Sequence, residues 1–200
     1  NVGYINYIAG GIQHVAVLNT DGTTARTIDL PPGATGSPVF GQDGASFQLL
    51  TYVGADGRST GHQILALATD TLTTEVSGNA AYIEFGPDGT GYLRVSGSAG
   101  AQSILGFDSA GNTVIPLSSF NSLTVVNTEF FQQRALTFAP DGTAYVINND
   151  FPALTATVYA LTPTGAQKVL EVPRASGSGA YLSTFTTDGT GYVTVETTTK

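Results

Sequence analysis

Two histidines, His14 and His62, are the only side chains in this sequence whose ordinary pKa suits proton exchange near neutral pH. Cysteine is absent, which removes thiol nucleophiles, thiolate metal sites and disulfides together. Carboxylates recur more regularly: Asp43, Asp88, Asp141 and Asp188 are each followed by Gly. A ring of such carboxylates could hold a metal. Asp-Gly is also what tight turns select, because Asp hydrogen-bonds its own backbone and Gly accepts positive φ, and we read these pairs as turns. Calcium loops that alternate Asp or Asn and close on Glu are missing, and Asn148, Asn149 and Asp150 read as a solvated connection. No G-x-S-x-G elbow, phosphate-binding loop or dinucleotide fingerprint occurs.

The Asp-Gly pairs belong to a longer pattern: Phe, two residues, Asp-Gly, two residues, then Tyr or Phe. It stands at residues 40–47, 85–92, 138–145 and 185–192, with Phe-to-Phe spacings of 45, 53 and 47 residues. A period of that size signals an array of like units. In each unit a short apolar run precedes the turn and a second strand follows it. A third strand of alternating character and a Gly-containing turn lead to a fourth strand. No window carries a helical apolar stripe uninterrupted by Gly or Pro. The expected fold is therefore all-β: a β-propeller of four-stranded antiparallel blades, about four repeats, either a closed four-bladed ring or part of a larger propeller.

As a single domain over residues 1–200, the blades are expected at 36–77, 80–118 and 134–173, with 3–30 and 180–200 supplying a blade shared between the termini. Residues 3–30 align on 91–117, so they start at a second strand, and residues 180–185 offer a first strand. The tally leaves one strand more than four closed blades need, because residues 191–197 repeat the role of 3–9. We expect four repeats from a longer array in preference to a closed ring.

Composition narrows the function classes. Charged residues are 11% of the chain, with 7 Lys plus Arg against 15 Asp plus Glu, a formal charge of −8. That field repels a phosphate backbone, so nucleic acid is not an expected partner. No apolar stretch approaches the roughly 20 residues of a membrane helix, and membrane insertion is not expected. Sparse charge with abundant Thr, Ser and Gly points to a bacterial secreted or cell-surface protein. No cofactor and no metal is expected.

The motifs at residues 87–93 and 140–146 resemble the bacterial β-propeller repeats known as YVTN or NHL repeats, whose P-D-G-T-x-Y-V hairpin joins the first two strands of a blade. Residues 188–193 keep most of it, and residues 43–47 keep only Asp-Gly and the aromatic. The resemblance spans nearly the whole chain and implies the architecture without fixing an activity. Related propeller hydrolases hold a central metal with Glu, Asp and Asn from several blades. The matching column here reads Val39, Glu84, Thr137 and Thr184, with a single carboxylate.

The Phe and Tyr columns (Phe40, Phe85, Phe138, Phe185; Phe47, Tyr92, Tyr145, Tyr192) are expected to pack between blades rather than form a sugar platform. The segment 118–134 lengthens the connection between two blades, and long connections on rigid scaffolds carry recognition. Candidate binding residues are therefore Phe120, Glu129, Phe130, Phe131, Gln132, Gln133 and Arg134, together with Glu84, which like Arg134 precedes a first-strand Phe and is placed toward the central channel. The favoured function is a non-catalytic binding or scaffold module engaging a protein or glycan partner. The alternatives are a propeller hydrolase or lyase with a central-channel site, and a self-assembling half propeller whose homodimer completes a larger ring.

Overall fold

The computed structural model describes residues 3–41, 43–97, 101–120, 136–150, 152–175 and 179–195. Among these, eighteen β-strands form five antiparallel sheets, and there is no helix.

The first sheet holds β1 (Gly3–Ala9), β2 (Ile12–Leu18) and β3 (Thr24–Asp29) in that order. The second is built from β4 (Ala34–Phe40), β5 (Ser46–Val53) and β6 (Ser59–Ala66), with a fourth strand split into β7 (Thr71–Leu72) and β8 (Val76–Ser77). The third runs β9 (Ala80–Phe85), β10 (Gly91–Ser96), β11 (Gln102–Phe107) and β12 (Thr113–Phe120). The fourth contains β13 (Thr137–Phe138), β14 (Ala144–Asp150), β15 (Thr155–Thr162) and β16 (Gly165–Pro173). The last pairs β17 (Ala180–Phe185) with β18 (Gly191–Val195).

The split in the second sheet has a local cause. Thr73 donates its N–H to the Ile64 carbonyl at 2.9 Å, but its hydroxyl, not its carbonyl, accepts the Ile64 N–H at 3.0 Å. The ladder is thereby carried across a bulge between β7 and β8. In the third sheet Pro116 sits on the outermost strand, beside a register shift, where its missing N–H costs no ladder bond.

The Asp-Gly pairs behave as turns. Asp43, Asp88, Asp141 and Asp188 each accept the N–H two residues on, at 2.9–3.0 Å. Gly44, Gly89, Gly142 and Gly189 follow with φ of 83–88°, the left-handed position that closes a type I hairpin with a bulge. In the third sheet this turn pairs Phe85 with Gly91 and Glu84 with Tyr92. Paired residues share a face and successive residues alternate. Phe85 therefore points to one side of the sheet and Tyr92 to the other.

That geometry stacks the sheets. The second aromatic of one hairpin meets the first Phe of the next: Tyr4 with Phe40 at 6.4 Å between ring centroids, Phe47 with Phe85 at 5.9 Å, Tyr92 with Phe138 at 5.6 Å and Tyr145 with Phe185 at 4.8 Å. Three apolar layers lie between successive sheets. Val15, Leu30, Leu50 and Leu65 fill the first, Phe47, Ile64, Leu93 and Phe107 the second, and Ile104, Leu136, Val146 and Leu161 the third. Polar ties add to them. Gln13 and Gly36 exchange two hydrogen bonds, Arg26 reaches Asp70 at 2.9 Å and the Leu67 carbonyl, and Asn149 exchanges two bonds with the Ala180 backbone at 3.0 Å each. Four-strand meanders stacked face to face in chain order are the blades of a β-propeller. Among the described residues β1 pairs with β2 and β17 with β18.

Phe107 is 0% exposed and packs edge-on against both Phe47 and Phe85, whereas Phe40 is 59% exposed. Truncating Phe107 to Ala removes a full aromatic from a closed layer and is expected to cost about 3–5 kcal/mol. Phe40→Ala should cost well under half of that, with urea unfolding of both variants as the check.

Candidate functional site

The third blade carries charge at two positions where the other blades carry none. Glu84 occupies the column that holds Val39, Thr137 and Thr184 in the other first strands. Two residues after the second aromatic, the column reads Asn6, Leu49, Arg94, Ile147 and Thr194. One blade thus carries both the carboxylate and the guanidinium.

The hairpin register brings them together. Glu84 pairs with Tyr92, and Arg94 pairs with Tyr82, so Tyr82, Glu84 and Arg94 share the face that Tyr92 turns toward the fourth blade. Arg94 Nε lies 3.7 Å from Glu84 Oε1, with both side chains mostly buried. Its guanidinium carbon sits 4.6 Å over the Tyr82 ring, a cation–π contact, and its Nη1 donates to Gln102 Oε1 at 3.3 Å. Burial lowers the Arg94 pKa, and the Glu84 charge opposes that shift. Arg94 Nε is buried without a hydrogen-bond partner. Tyr82 is exposed, so the aromatic face is the cluster's outlet to solvent. Its makeup suits a polar ligand: a fork of donors, a carboxylate acceptor and an aromatic plane.

Gln102 pairs with Phe120 across β11 and β12, so Phe120 lies on the same face. Phe120 belongs to β12, is buried and packs against Tyr159 at 5.4 Å between centroids. It anchors the third blade to the fourth and is not an exposed contact. Residues 118–120 are strand. Glu129, Phe130, Phe131, Gln132, Gln133 and Arg134 lie outside the described residues. The sequence nominated Glu84 but not Arg94 beside it. The signal was available: a charged side chain in a column otherwise filled by Asn, Leu, Ile and Thr, in a chain where charge is scarce.

The histidines sit elsewhere. His14 on β2 contacts Asp29 Oδ1 through Nδ1 at 2.7 Å and the Ala9 carbonyl through Nε2 at 3.2 Å, and stacks on Tyr7 at 5.0 Å. Two acceptors suit a doubly protonated ring, and the hydrogen bond to Asp29 raises its pKa. His62 on β6 is buried, with Nδ1 3.2 Å from the Thr51 hydroxyl. Burial lowers its pKa, against smaller opposing effects from the Gly78 backbone and Glu75. Neither belongs to the Glu84–Arg94 face. Among the described residues no three His, Asp or Glu side chains are grouped to hold a metal ion.

The two histidines should oppose each other in pH dependence. His14, raised in the fold, contributes stability that is full below pH 6.5, the unfolded value, and lost as pH climbs through its folded pKa. His62, lowered in the fold, contributes stability present above pH 6.5 and lost as pH falls through its folded pKa. NMR titration of the two imidazoles should place His14 above that value and His62 below it; the reverse order would contradict both environments.

No protein-family model matches the chain, and no curated protein matches it. Among solved structures it is similar to Kuenenia stuttgartiensis hydrazine synthase, at 18% identity and a TM-score of 0.41, over 91% of this chain and 49% of that one. It is also similar to the β-propeller domain of the Pyrococcus furiosus Trilobed protease, described as having an open velcro topology. That match has 11% identity and a TM-score of 0.38, covering 90% and 55%. The WD40 domain of Toxoplasma gondii coronin matches at 14% identity and a TM-score of 0.36, covering 86% and 46%. The chain thus spans about half the length of these solved chains. The fold assignment rests on the blades themselves.

Proposed function

We propose that this chain is a non-catalytic binding or scaffold module of YVTN/NHL-like blades, from a secreted or cell-surface bacterial protein, engaging a protein or glycan partner. The observation that carries the reading is the Tyr82–Glu84–Arg94 cluster, where a charge pair stands at positions that are uncharged in the other blades and lies against an exposed tyrosine. A partly buried ion pair contributes little net stability, because desolvation offsets the Coulomb attraction. A charge pair held against a Tyr ring is instead suited to orienting a polar ligand. The bound groups would be hydroxyls or amides, which can accept from the guanidinium and donate to the carboxylate.

The sparse charge and the Thr, Ser and Gly content support the extracellular placement. Phe130 and Phe131, which follow β12 in the sequence, stay part of the proposal on sequence grounds. Catalysis is the weaker reading because His14 and His62 lie on other sheets, engaged with Asp29 and Thr51 respectively.

The test is a glycan array and a displayed-peptide library, each probed with the full chain. A ligand is expected whose affinity falls about tenfold or more, about 1.4 kcal/mol, in Tyr82→Ala and in the Phe130→Ala/Phe131→Ala double variant. Unfolding midpoints should confirm that both variants are folded. Full affinity in both would remove the proposed site, and chemical turnover of the ligand would replace binding with catalysis.

A further inference from the structure

Buried polar atoms are almost always hydrogen-bonded, so the exceptions are informative. Among the described residues four buried side-chain polar atoms lack a partner: Gln48 Oε1, His62 Nε2, Arg94 Nε and Asn148 Oδ1. The last two belong to neighbouring blades. Tyr145 meets Phe185, and Asn149 bonds the Ala180 backbone, so both point toward the last sheet. Side chains alternate along a strand, and Asn148 therefore points the other way. It shares a face with Val146, which packs with Tyr92 and Ile104 in the layer between the third and fourth blades. Arg94 enters that layer from the opposite side, since it pairs with Ile104. An unpartnered donor and an unpartnered acceptor thus meet in one junction.

Their positions along the strands agree. Counted from the second aromatic of each hairpin, Arg94 stands two residues past Tyr92, Asn148 three past Tyr145, and Ser96 four past Tyr92. Ser96 pairs with Gln102, which accepts from Arg94 Nη1 at 3.3 Å, so the rung of Asn148 falls along the reach of the Arg94 side chain. Thr157, paired with Asn148, already donates its hydroxyl to Glu171 Oε2 at 3.2 Å. The one group that accepts from Nε–H and donates to Oδ1 through a single atom is a hydroxyl. An ionised carboxylate only accepts, and Glu84, 3.7 Å from Arg94 Nε, opposes any anion there. An ammonium only donates, and the guanidinium repels it. Over the guanidinium lies the Tyr82 ring, 51% exposed, a plane suited to the C–H face of a second ring.

We infer that the junction of the third and fourth blades binds an uncharged sugar, with one hydroxyl between Arg94 Nε and Asn148 Oδ1 and the sugar ring against Tyr82. The inference rests on the binding reading of the Tyr82–Glu84–Arg94 cluster and names its ligand class. Water also accepts and donates, but it makes no use of an exposed aromatic plane. A pyranose uses both, because it carries hydroxyls around its rim and C–H groups on its face.

NMR titration of the full chain tests it, using the methyl glycosides of glucose, galactose, mannose and N-acetylglucosamine, with that of glucuronic acid as the charged control. At least one neutral glycoside should shift the Arg94 Nε–H resonance, and its deoxy analogue lacking the anchored hydroxyl should not. Arg94→Lys keeps the charge but loses the Nε–H, and Asn148→Val loses the acceptor; each should weaken that glycoside about tenfold or more. Asn148→Val deletes an unpaired buried acceptor, so its unfolding midpoint should hold or rise while affinity falls, a split that a merely structural Asn148 would not give. If one variant fails to fold, the other and the deoxy series carry the test. Full affinity in a folded variant would overturn the inference, as would tighter binding of the glucuronic acid glycoside. Binding by none of the glycosides would overturn it too. In that case a displayed peptide whose capture needs Tyr82 would keep the cluster as a protein-binding site, and the absence of any such peptide would remove the cluster itself.

Discussion

One contact organises this molecule: the second aromatic of each Asp-Gly hairpin resting against the first Phe of the next. Four such pairs, at 4.8 to 6.4 Å between centroids, run the length of the stack. Beyond the area they bury, aromatic pairs in this range contribute about 0.5–1.5 kcal/mol each. Their greater effect is on direction. The turn fixes the pairing of Phe85 with Gly91 and of Glu84 with Tyr92, so one hairpin carries a backward-pointing ring and a forward-pointing ring at a set offset. Gly91 is part of the device, since a Cβ there would run into the Phe107 ring. A hairpin with both rings on one face would bury them together and leave nothing to dictate the position of the next blade.

The aromatic pairs link successive blades, and in such an array stability accumulates junction by junction. The layers are accordingly uneven. The junction of the second and third blades closes around Phe47, Phe85 and Phe107. The junction of the third and fourth retains Tyr92 against Phe138 and Phe120 against Tyr159, and accommodates an ion pair besides. A charge pair is tolerable there because aromatic contacts on the same face hold the blades in register. Burial, with the Asp88 charge adding to it, pushes the Tyr92 pKa up to about 12 on that same face.

The frame of the molecule was legible in its sequence because it is written in turn chemistry and spacing. Asp-Gly at a constant offset between two aromatics announces a hairpin, and its recurrence announces an array. Features that depend on register escaped. Arg94 acquires meaning only once it is known to pair with Tyr82, two rungs from Glu84. Phe120 reads as part of a connection because no Gly or Pro separates it from residues 121–134, yet its pairing with Gln102 makes it the last rung of β12. The break between β7 and β8 hinges on the Thr73 hydroxyl standing in for a carbonyl, a substitution that no periodicity reveals. The two histidines differ for the same reason. One faces a carboxylate across a strand pair and the other is enclosed by a blade junction, and nothing local to either residue distinguishes them.

A repeat stack also separates the tasks of its residues. Positions that recur in every blade are bound by the need to fit the next copy, and a change at one of them disturbs a junction. Positions that depart from the recurrence are free of that demand, so a departure that brings compatible groups together calls for its own explanation. Glu84 and Arg94 are two such departures in adjacent strands of a single blade, joined at 3.7 Å. A lone carboxylate in that layer would have cost desolvation without return. The guanidinium supplies the compensating charge, and Tyr82 supplies a face through which the pair meets solvent. The blades repeat their junctions, and the third departs from them with a charge pair set between two strands.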